Sequence, residues 1–374
     1  MTTCPAARIG DRWEDIDTPA LVVELDILEE NLRRMAAFAK DKGIRLRPHA
    51  KSHKCPAIAR KQVELGAVGV CCQKVTEAES LAEGGITDIL ITNQIVGERK
   101  LNRLVALARR IKVAVCADHS DNLRELDAAA RNFDTTLSVL VEIDVGSHRC
   151  GVQPGEPAVA LAREIAAAKN LRFGGIQAYH GRAQHQRTYE ERQQTIEAAS
   201  ALVEQTCALL AAEGLECDII GGAGTGTYPF ETASGVYNEL QVGSYVFLDR
   251  DYSLNLDAEG RQADDFTQSL FIKSTVLSTP EPDRAVTDAG LKAYTTDAGL
   301  PGVHAMPGAE VLAAADEHCN IRFHGPHQRP QLGETVMLIP GHCDPAVNLH
   351  DWIIGLRNGR VESIWPVAAR GAVL

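Results

Sequence analysis

The sequence predicts a (β/α)8 barrel followed by a smaller antiparallel β-domain. Over most of the chain, short apolar runs alternate with helical patterns, whereas after residue 268 short runs rich in Val, Ile and Thr follow one another with turn residues between them. Alternating strands and helices imply parallel strand pairing. Roughly eight such units over about 250 residues fit a closed barrel better than an open sheet.

The predicted barrel elements are short and regularly spaced. The candidate strands lie at 20–25, from 44 onward, and at 67–73, 88–96, 112–117, 137–144, 171–179, 217–220 and 240–249. The helical patterns between them lie at 27–40, 76–83, 99–110, 122–131, 157–168 and 190–213. The strands are continuously apolar, as expected when both faces of a sheet are covered.

We expect residues 18–268 to form the barrel, and residues 1–17 together with 269–374 to form the β-domain. Candidate strands of the β-domain lie at 269–278, 336–340, 352–356 and 362–366. The pair Asn358-Gly359 separates the last two and is typical of a two-residue hairpin turn. The active site of such a barrel lies where its strands lead into loops.

Composition and charge exclude several classes of protein. The 374 residues carry a formal net charge of -12, which argues against nucleic acid and anionic membranes as partners. The polar N-terminal segment does not resemble a signal peptide, and no apolar run approaches the length of a membrane span. The ten cysteines contain no CxxC pair, and Cys71 and Cys72 lie within an apolar run. We therefore expect a cytoplasmic enzyme.

The most unusual local feature is the stretch at 47–54, Arg-Pro-His-Ala-Lys-Ser-His-Lys, in which five of eight residues are cationic or imidazole. Positive charge at a strand end indicates that an anion or an electrophile is held there. Neighbouring cations lower the pKa of a lysine, which leaves its amine free to attack a carbonyl. The stretch fits a Schiff-base lysine and, equally well, a solvated basic loop.

A glycine-rich loop at 221–227 follows a predicted strand. Gly222, Gly224, Thr225 and Gly226 offer backbone N–H groups and a hydroxyl to a phosphate. The loop is neither a P-loop nor a dinucleotide fingerprint, and a tight turn explains it as well. A phosphate site and a lysine on one barrel face together indicate pyridoxal phosphate.

The triplet His342-Cys343-Asp344 follows the predicted strand that ends at Pro340. At a spacing of two residues along an extended chain, His342 and Asp344 point to the same side. Imidazole and carboxylate with open positions suit Mn²⁺, Zn²⁺ or Mg²⁺. A capping aspartate and a surface histidine are the alternative.

Other candidate site residues follow the strands ending near 144 and 179. Tyr179 and His185 are candidates for acid–base or orienting roles, and Arg149 for contact with a cofactor oxygen. Tyr179 is otherwise a half-buried aromatic and Arg149 a structural cation. Arg182 either accepts a substrate carboxylate or pairs with an acidic residue at 190–191.

Taken together, these motifs resemble the fold-type III pyridoxal-phosphate enzymes of the alanine racemase type. More narrowly, the chain resembles the group of D-threonine aldolases, 3-hydroxy-D-aspartate aldolases and D-serine dehydratases. The resemblance runs in order along nearly the whole chain, on the segments 17–20, 47–51, 69–74, 142–144, 149–151, 177–181, 221–227, 243–245, 288–292, 341–345 and 365–366.

The resemblance implies a role for each candidate. Lys51 is implied to be the Schiff-base lysine, and Tyr179 and Arg149 are implied to line the cofactor ring and its phenolic oxygen. The loop carrying Gly222, Gly224, Thr225 and Gly226 is implied to hold the phosphate. His342 and Asp344 match the metal ligands of the D-threonine aldolases. A homodimer with a site shared across its interface is also implied.

The implied reaction is the reversible cleavage of a D-β-hydroxy-α-amino acid to glycine and an aldehyde, assisted by a divalent metal. Mn²⁺ is the expected ion, with Mg²⁺, Co²⁺ and Zn²⁺ as alternatives. The base is His185, His49 or metal-bound hydroxide. The main alternative is a D-serine or D-threo-3-hydroxyaspartate dehydratase, although the dehydratases typically carry Cys at the position of Asp344. A non-catalytic pyridoxal-phosphate carrier and a metal-free racemase are further alternatives.

Overall fold

The computed structural model describes residues 4–324 and 329–374 and contains an eight-stranded parallel barrel and a nine-stranded mixed sheet. The strands of the barrel are β2 (Arg45–Leu46), β3 (Val70–Cys72), β4 (Asp88–Gln94), β5 (Lys112–Ala117), β6 (Leu137–Glu142), β7 (Leu171–Gln177), β8 (Ile219–Gly222) and β9 (Glu239–Leu240). The predicted fold class, a barrel of eight parallel strands beside a β-domain, is confirmed.

The barrel is closed between its first and second strands. Seven strand pairs give the order β2-β9-β8-β7-β6-β5-β4-β3. The remaining gap is bridged where Leu46 O accepts the N–H of Val68 at 2.9 Å and Pro48 O accepts the N–H of Cys71 at 2.8 Å. The loop after β2, which carries the basic stretch, is therefore part of the wall of the barrel.

Helices cover the outside of the barrel. They are α1 (Leu25–Asp41), α2 (Pro56–Glu64), α3 (Val75–Glu83), α4 (Glu98–Ala108), α5 (Ser120–Asn132), α6 (Glu156–Ala167), α7 (Tyr189–Ala212) and α8 (Tyr228–Ser234), with α9 (Cys343–Val347) in the second part of the chain. Both faces of the parallel strands are buried, and small side chains fill the interior, among them Cys71 and Cys116. All ten cysteines are unpaired.

The second sheet contains a strand that the sequence assigned to the barrel. Its strands are β1 (Ala20–Glu24), β10 (Leu270–Glu281), β11 (Arg284–Thr287), β12 (Gly302–Val303), β13 (Ala309–Ala314), β14 (Cys319–Phe323), β15 (Thr335–Ile339), β16 (Trp352–Arg357) and β17 (Arg360–Pro366). β1 pairs antiparallel with β10 and parallel with β16, so the sheet is mixed rather than antiparallel. Alternate residues of β1 enter two different apolar clusters, which gives it the continuous apolar pattern of a barrel strand.

The last predicted barrel strand, 240–249, is mostly not a strand. β9 ends at Leu240, and the chain continues through a 3-10 turn at Ser244–Val246. The backbone N–H of Tyr245 donates a hydrogen bond to Thr225 Oγ1 at 3.0 Å, and this bond holds the buried turn against the glycine-rich loop. A continuous apolar run does not distinguish a buried turn from a strand.

The described N-terminal residues contact the second sheet. Val361 O accepts the N–H of Gly10 at 2.8 Å, and the predicted hairpin turn has positive φ at both Asn358 and Gly359. The buried Lys273 donates to the backbone oxygens of Trp13 at 2.8 Å and Ile16 at 2.6 Å. None of the helices among the described residues is both long and apolar enough to cross a membrane.

Replacing Lys273 with Met should lower the thermal midpoint of unfolding, because two buried carbonyls lose a charged donor at a cost of about 2 kcal/mol. Differential scanning fluorimetry measures the shift. Lys292→Met is the matched control, since Lys292 is exposed and pairs with Glu317 only at the surface. Equal shifts in both variants would show that Lys273 does not fasten the N-terminal segment.

Candidate active site

A cavity of about 510 Å³ opens where the barrel strands lead into their loops. The strand ends after β2, β3, β7, β8 and β9 supply most of its wall, and one loop of the second part of the chain adds an acidic side chain. The lining residues are His49, Lys51, Gln73, Thr92, Ser147, Arg149, Gln177, Tyr179, Gly181, Arg182, His185, Ala223, Gly224, Thr225, Gln241, Gly243, Ser244, Tyr252 and Asp344.

Lys51 lies on a 3-10 turn, Ala50–Ser52, directly after β2. The N–H of Lys51 is donated to Nδ1 of His49 at 3.4 Å. The N–H of His49 is in turn donated to Val242 O, just beyond β9, at 2.8 Å. The turn is therefore fixed to the neighbouring strand and holds the lysine at the cavity.

The ammonium group of Lys51 pairs with Asp344, which lies 293 positions away in sequence. Nζ is 2.6 Å from Oδ2, the Lys51 side chain is 40% exposed and the Asp344 side chain 12%. The carboxylate raises the pKa of Lys51. Burial alone would raise the pKa of Asp344, but Lys51 and His342 lower it. The lowered lysine pKa expected from neighbouring cations is thus wrong for this geometry, because a partner distant in sequence dominates.

His342 lies beside Asp344 at the start of α9. Its Nε2 is 3.9 Å from Asp344 Oδ2, and its Nδ1 is 2.7 Å from Asp297 Oδ2. The two side chains converge because α9 begins at Cys343, not because of strand periodicity. An imidazole that donates Nδ1–H to a carboxylate keeps Nε2 available as a ligand.

The first turn of α9 is held by a buried carboxylate. Asp249 accepts the N–H of Cys343 at 2.9 Å and the N–H of Tyr252 at 3.0 Å. Burial raises the pKa of Asp249 to about 6. Across residues 4–324 and 329–374, no group of three or more His, Cys, Asp or Glu side chains could hold a metal ion. Metal binding by His342 and Asp344 stays a prediction.

His49 is buried, and burial lowers the pKa of its imidazole well below the usual value, so the ring is neutral. Its Nε2 lies 2.9 Å from Gln73 Nε2 and 3.1 Å from Thr92 Oγ1. Its Nδ1 accepts the N–H of Lys51. Both ring nitrogens are thus engaged within the wall of the cavity.

Arg149 and Tyr179 form a stacked pair in the cavity. The guanidinium carbon of Arg149 is 5.6 Å from the centroid of the Tyr179 ring, and Nη2 is 3.7 Å from Glu142 Oε1. Burial raises the pKa of Tyr179, so the phenol keeps its proton at neutral pH. Both side chains lie at the predicted site, and their contact with a cofactor stays a prediction.

The glycine-rich loop contributes only part of its length to the cavity. Ala223, Gly224 and Thr225 line it, whereas Gly222 and Gly226 are not among the lining residues. Thr225 Oγ1 already accepts a backbone N–H, so its hydroxyl proton is available to an anion. Phosphate binding by the loop as a whole stays a prediction.

Gln184 supports the glycine-rich loop from behind. Its Oε1 accepts the N–H of Gly226 at 2.9 Å, and its Nε2 donates to Thr227 Oγ1 at 2.8 Å. A Cβ atom at Gly224 would collide with the Gln184 amide. The glycines therefore serve close packing as well as a backbone turn.

His185 lies at the rim of the cavity with an acidic partner. Its Nδ1 is 2.6 Å from Asp251 Oδ2, and its side chain is 56% exposed. The hydrogen bond to Asp251 raises the pKa of His185. Asp251 also pairs with Arg187. The carboxylate fixes the tautomer of His185 and leaves Nε2 for the cavity.

Arg182 shares the 3-10 turn Arg182–His185 with His185 and lines the cavity. The expected alternative, a pair with an acid at 190–191, is not formed. Glu191 instead accepts from Thr188 Oγ1 at 2.8 Å, and no ion pair of Arg182 occurs in the part of the chain that the structure describes.

Lys54 fastens the elements around the site to one another. Its buried Nζ is 2.9 Å from Asn348 Oδ1, at the end of α9, and 3.3 Å from Glu77 Oε1. Glu77 accepts the N–H of Gln73 at 2.8 Å, and Asn348 accepts the N–H of Gly371 at 3.1 Å. Lys54 therefore joins α3 and the end of α9 beside the site.

Several site residues were not found from the sequence. Asp249, Asp251 and Asp297 act on other site residues from distant loops, and no local motif marks them. Gln177 and Gln241, which are joined by a hydrogen bond of 2.7 Å between their side chains, could have been noted as polar residues within apolar runs. Gln184 could have been noted because it lies between His180 and His185, but the sequence does not show that it supports the glycine-rich loop.

Comparisons with known proteins cover the chain almost completely. The family model described as "Alanine racemase, N-terminal domain" matches residues 23–251, and the "Putative serine dehydratase domain" matches residues 269–356. The 3-hydroxy-D-aspartate aldolase of Paracoccus denitrificans is 46% identical over 96% of this chain and 93% of its own. The D-threonine aldolase of an Arthrobacter species is 46% identical over 98% of this chain and 96% of its own.

Solved structures agree with these matches. The crystal structure of D-threonine aldolase from Filomicrobium marinum superposes with a TM-score of 0.97 and 46% identity, covering 100% of both chains. The structure of D-threo-3-hydroxyaspartate dehydratase from a Delftia species is more distant, with a TM-score of 0.86 and 26% identity, covering 95% of this chain and 98% of its own. The chain therefore belongs to the alanine racemase N-terminal domain family, within the group that contains the D-threonine and 3-hydroxy-D-aspartate aldolases.

Proposed function

We propose that the protein is a carbon–carbon lyase that cleaves D-β-hydroxy-α-amino acids reversibly to glycine and an aldehyde, with pyridoxal phosphate and a divalent metal. Near-complete alignment with aldolases at 46% identity supports this. The observation that carries the proposal is the meeting of Lys51, Asp344 and His342 at one cavity, with Asp344 Oδ2 2.6 Å from Nζ and 3.9 Å from Nε2.

The residues present fit pyridoxal phosphate. Lys51 offers a partly exposed amine for covalent attachment, and the hydroxyl proton of Thr225 is available to the phosphate. Tyr179 and Arg149 offer an aromatic face and a cation beside it. When bound, the cofactor supplies an electron sink for the pair left on Cα after a bond to it breaks.

His342 and Asp344 fit a divalent metal that keeps open positions for water or substrate oxygen. Asp297 fixes the tautomer of His342 in the orientation that a ligating imidazole requires. A metal in this position lowers the pKa of a coordinated hydroxyl. We take Mn²⁺ as the ion on the resemblance alone.

His185 is the residue we assign as the base that removes the proton of the substrate hydroxyl. Its Nδ1 is held by Asp251, which leaves Nε2 free to accept a proton at the cavity. Both nitrogens of His49 are engaged by neighbouring groups, which favours an orienting role for that residue. Lys51 holds the cofactor, and the phenol of Tyr179 stays protonated beside it.

The dehydratase alternative uses nearly the same residues. In an elimination, Lys51 would remove the Cα proton and the β-hydroxyl would leave as water. The carboxylate of Asp344, where dehydratases of the group typically carry Cys, favours the aldolase. A pyridoxal-phosphate carrier is disfavoured because such proteins lack the second sheet, and a metal-free racemase because it would leave His342 and Asp344 without a function.

A homodimer and a cytoplasmic location complete the proposal. The dimer follows from the resemblance alone, and light scattering on the purified protein tests it. Ten unpaired cysteines support a reducing compartment.

Product analysis tests the proposed reaction directly. Protein loaded with pyridoxal phosphate and Mn²⁺ should convert D-threonine or 3-hydroxy-D-aspartate to glycine and an aldehyde, and EDTA should abolish the reaction. D-serine and an L-threonine control are assayed in parallel, with glycine, aldehyde, keto acid and ammonia quantified. Ammonia and a keto acid in place of glycine would identify a dehydratase, and cleavage that persists in EDTA would remove the metal from the proposed reaction.

Asp344→Asn should weaken Mn²⁺ binding at least about 10-fold and reduce cleavage about 100-fold, since it removes an anionic ligand and the partner of Lys51. Isothermal calorimetry on the cofactor-loaded protein measures the metal, independently of turnover. Asp41→Asn, at an exposed helix end, is the control and should behave as wild type. Unchanged Mn²⁺ affinity in Asp344→Asn would remove Asp344 from the metal site.

The acid limb of kcat/KM should follow His185. Because the hydrogen bond to Asp251 raises the pKa of His185, the unprotonated base is lost as the pH falls through that raised value. Asp251→Asn should therefore move the acid limb to lower pH, besides lowering kcat. The other charged or titratable groups facing His185 are Arg187, Asp249, Tyr252 and Arg182.

A matched control exists for this titration. Asp257→Asn removes a carboxylate that pairs with Arg261 outside the main cavity, so its acid limb should coincide with that of wild type. An acid limb that stays in place in Asp251→Asn would show that His185 is not the base.

A further inference from the structure

We infer that Arg182 is the specificity-determining residue for a carboxylate carried on Cβ of the substrate. The enzyme would then prefer acidic D-β-hydroxy-α-amino acids such as 3-hydroxy-D-aspartate to neutral ones such as D-threonine. The inference rests on the proposed aldolase function for its reaction, and on the charges around the cavity for its substrate class.

The other cationic side chains at the site, and the imidazoles of His185 and His342, have acidic partners, and the buried imidazole of His49 is neutral. Lys51 is paired with Asp344 at 2.6 Å, and His185 with Asp251 at 2.6 Å. Arg149 has Glu142 at 3.7 Å and stacks on the Tyr179 ring. His342, next to the cavity, has Asp297 at 2.7 Å. Positive charge at these places is thus already balanced by the protein.

Arg182 is the exception among the described residues. It is exposed, it lines the cavity, and its guanidinium has no ion pair or hydrogen bond with described residues. Among the described residues that line the cavity, Asp344 is the one that carries a carboxylate, and Lys51 pairs with it. An unpaired guanidinium in a substrate cavity provides a planar donor set that fits a carboxylate in bidentate fashion.

The position of Arg182 favours binding of a carboxylate on Cβ rather than binding of the α-carboxylate. Arg182 and His185 are the first and last residues of one 3-10 turn. Residues three apart in a 3-10 helix project to the same side, and the side chains of Arg182 and His185 line the same cavity. The imidazole is assigned to the hydroxyl on Cβ, so a cation next to it faces whatever else Cβ carries. The α-carboxylate is carried on Cα, one carbon closer to the substrate nitrogen than a carboxylate on Cβ.

Selectivity between two substrates tests the inference. For wild type, kcat/KM should be at least about 10-fold higher with 3-hydroxy-D-aspartate than with D-threonine. Arg182→Gln should lower kcat/KM for the diacid about 10- to 100-fold, mainly through KM, since a charged hydrogen-bonded contact is lost. The kcat/KM for D-threonine should change less than about 3-fold, because D-threonine has no carboxylate on Cβ to contact Arg182. Arg182→Lys should keep part of the preference, as a charge without the planar fork.

Two patterns would overturn the inference. Equal losses on both substrates would mean that Arg182 binds the α-carboxylate or positions His185, and no loss on either would mean that it is a solvated surface arginine. Arg124→Gln, an exposed arginine on α5, controls for removal of a positive charge and should leave both substrates unaffected.

A binding measurement keeps this result separate from the proposed reaction. D-Aspartate and D-alanine have no β-hydroxyl, and their affinities for the cofactor-loaded protein are read from its absorbance without cleavage. Wild type should bind D-aspartate at least about 10-fold more tightly than D-alanine, and Arg182→Gln should remove this difference. If no aldehyde forms from any substrate, the aldolase proposal fails, while the ratio of these affinities still decides the role of Arg182.

Discussion

The ion pair between Lys51 and Asp344 is the interaction on which the organisation of the site depends. It joins the wall of the barrel to the first turn of α9, at 2.6 Å and across 293 positions. A carboxylate that is 12% exposed needs a cation close by, and Lys51 supplies it. The same carboxylate oxygen lies 3.9 Å from Nε2 of His342, so the lysine and the imidazole meet at one anionic group.

The surroundings of this pair are fixed from both parts of the chain. Asp249 holds the beginning of α9 through Cys343, and Lys54 holds its end through Asn348. Lys54 also pairs with Glu77, whose carboxylate accepts the backbone N–H of Gln73. Buried polar groups that satisfy one another in this way restrict the elements to one arrangement. The helix that carries Asp344 is consequently held at its beginning by Asp249 and at its end by Lys54, which are far apart in sequence.

The local patterns of the sequence were sufficient for the fold class and for the identity of the principal side chains. Apolar runs separated by helical patterns predicted the barrel, and Asn358-Gly359 predicted the hairpin. Two predictions from the sequence were wrong for physical reasons. A strand covered on both faces looks the same in either sheet, so β1 was assigned to the barrel. Charge partners such as Asp251, Asp297 and Asp344 act through space, so the sign of the pKa shift of Lys51 was wrong when argued from its neighbours in sequence.

The distribution of protons at the site bears on which bond the enzyme breaks. Elimination begins with removal of the Cα proton by the amine of Lys51, whereas cleavage begins with removal of the hydroxyl proton. Asp251 binds Nδ1 of His185 and leaves Nε2 as an acceptor beside the cavity. Under the proposed function, His185 is therefore placed to take up the hydroxyl proton with which cleavage begins. Asp344 would then serve the metal, so it would not be available to hold a proton on Lys51.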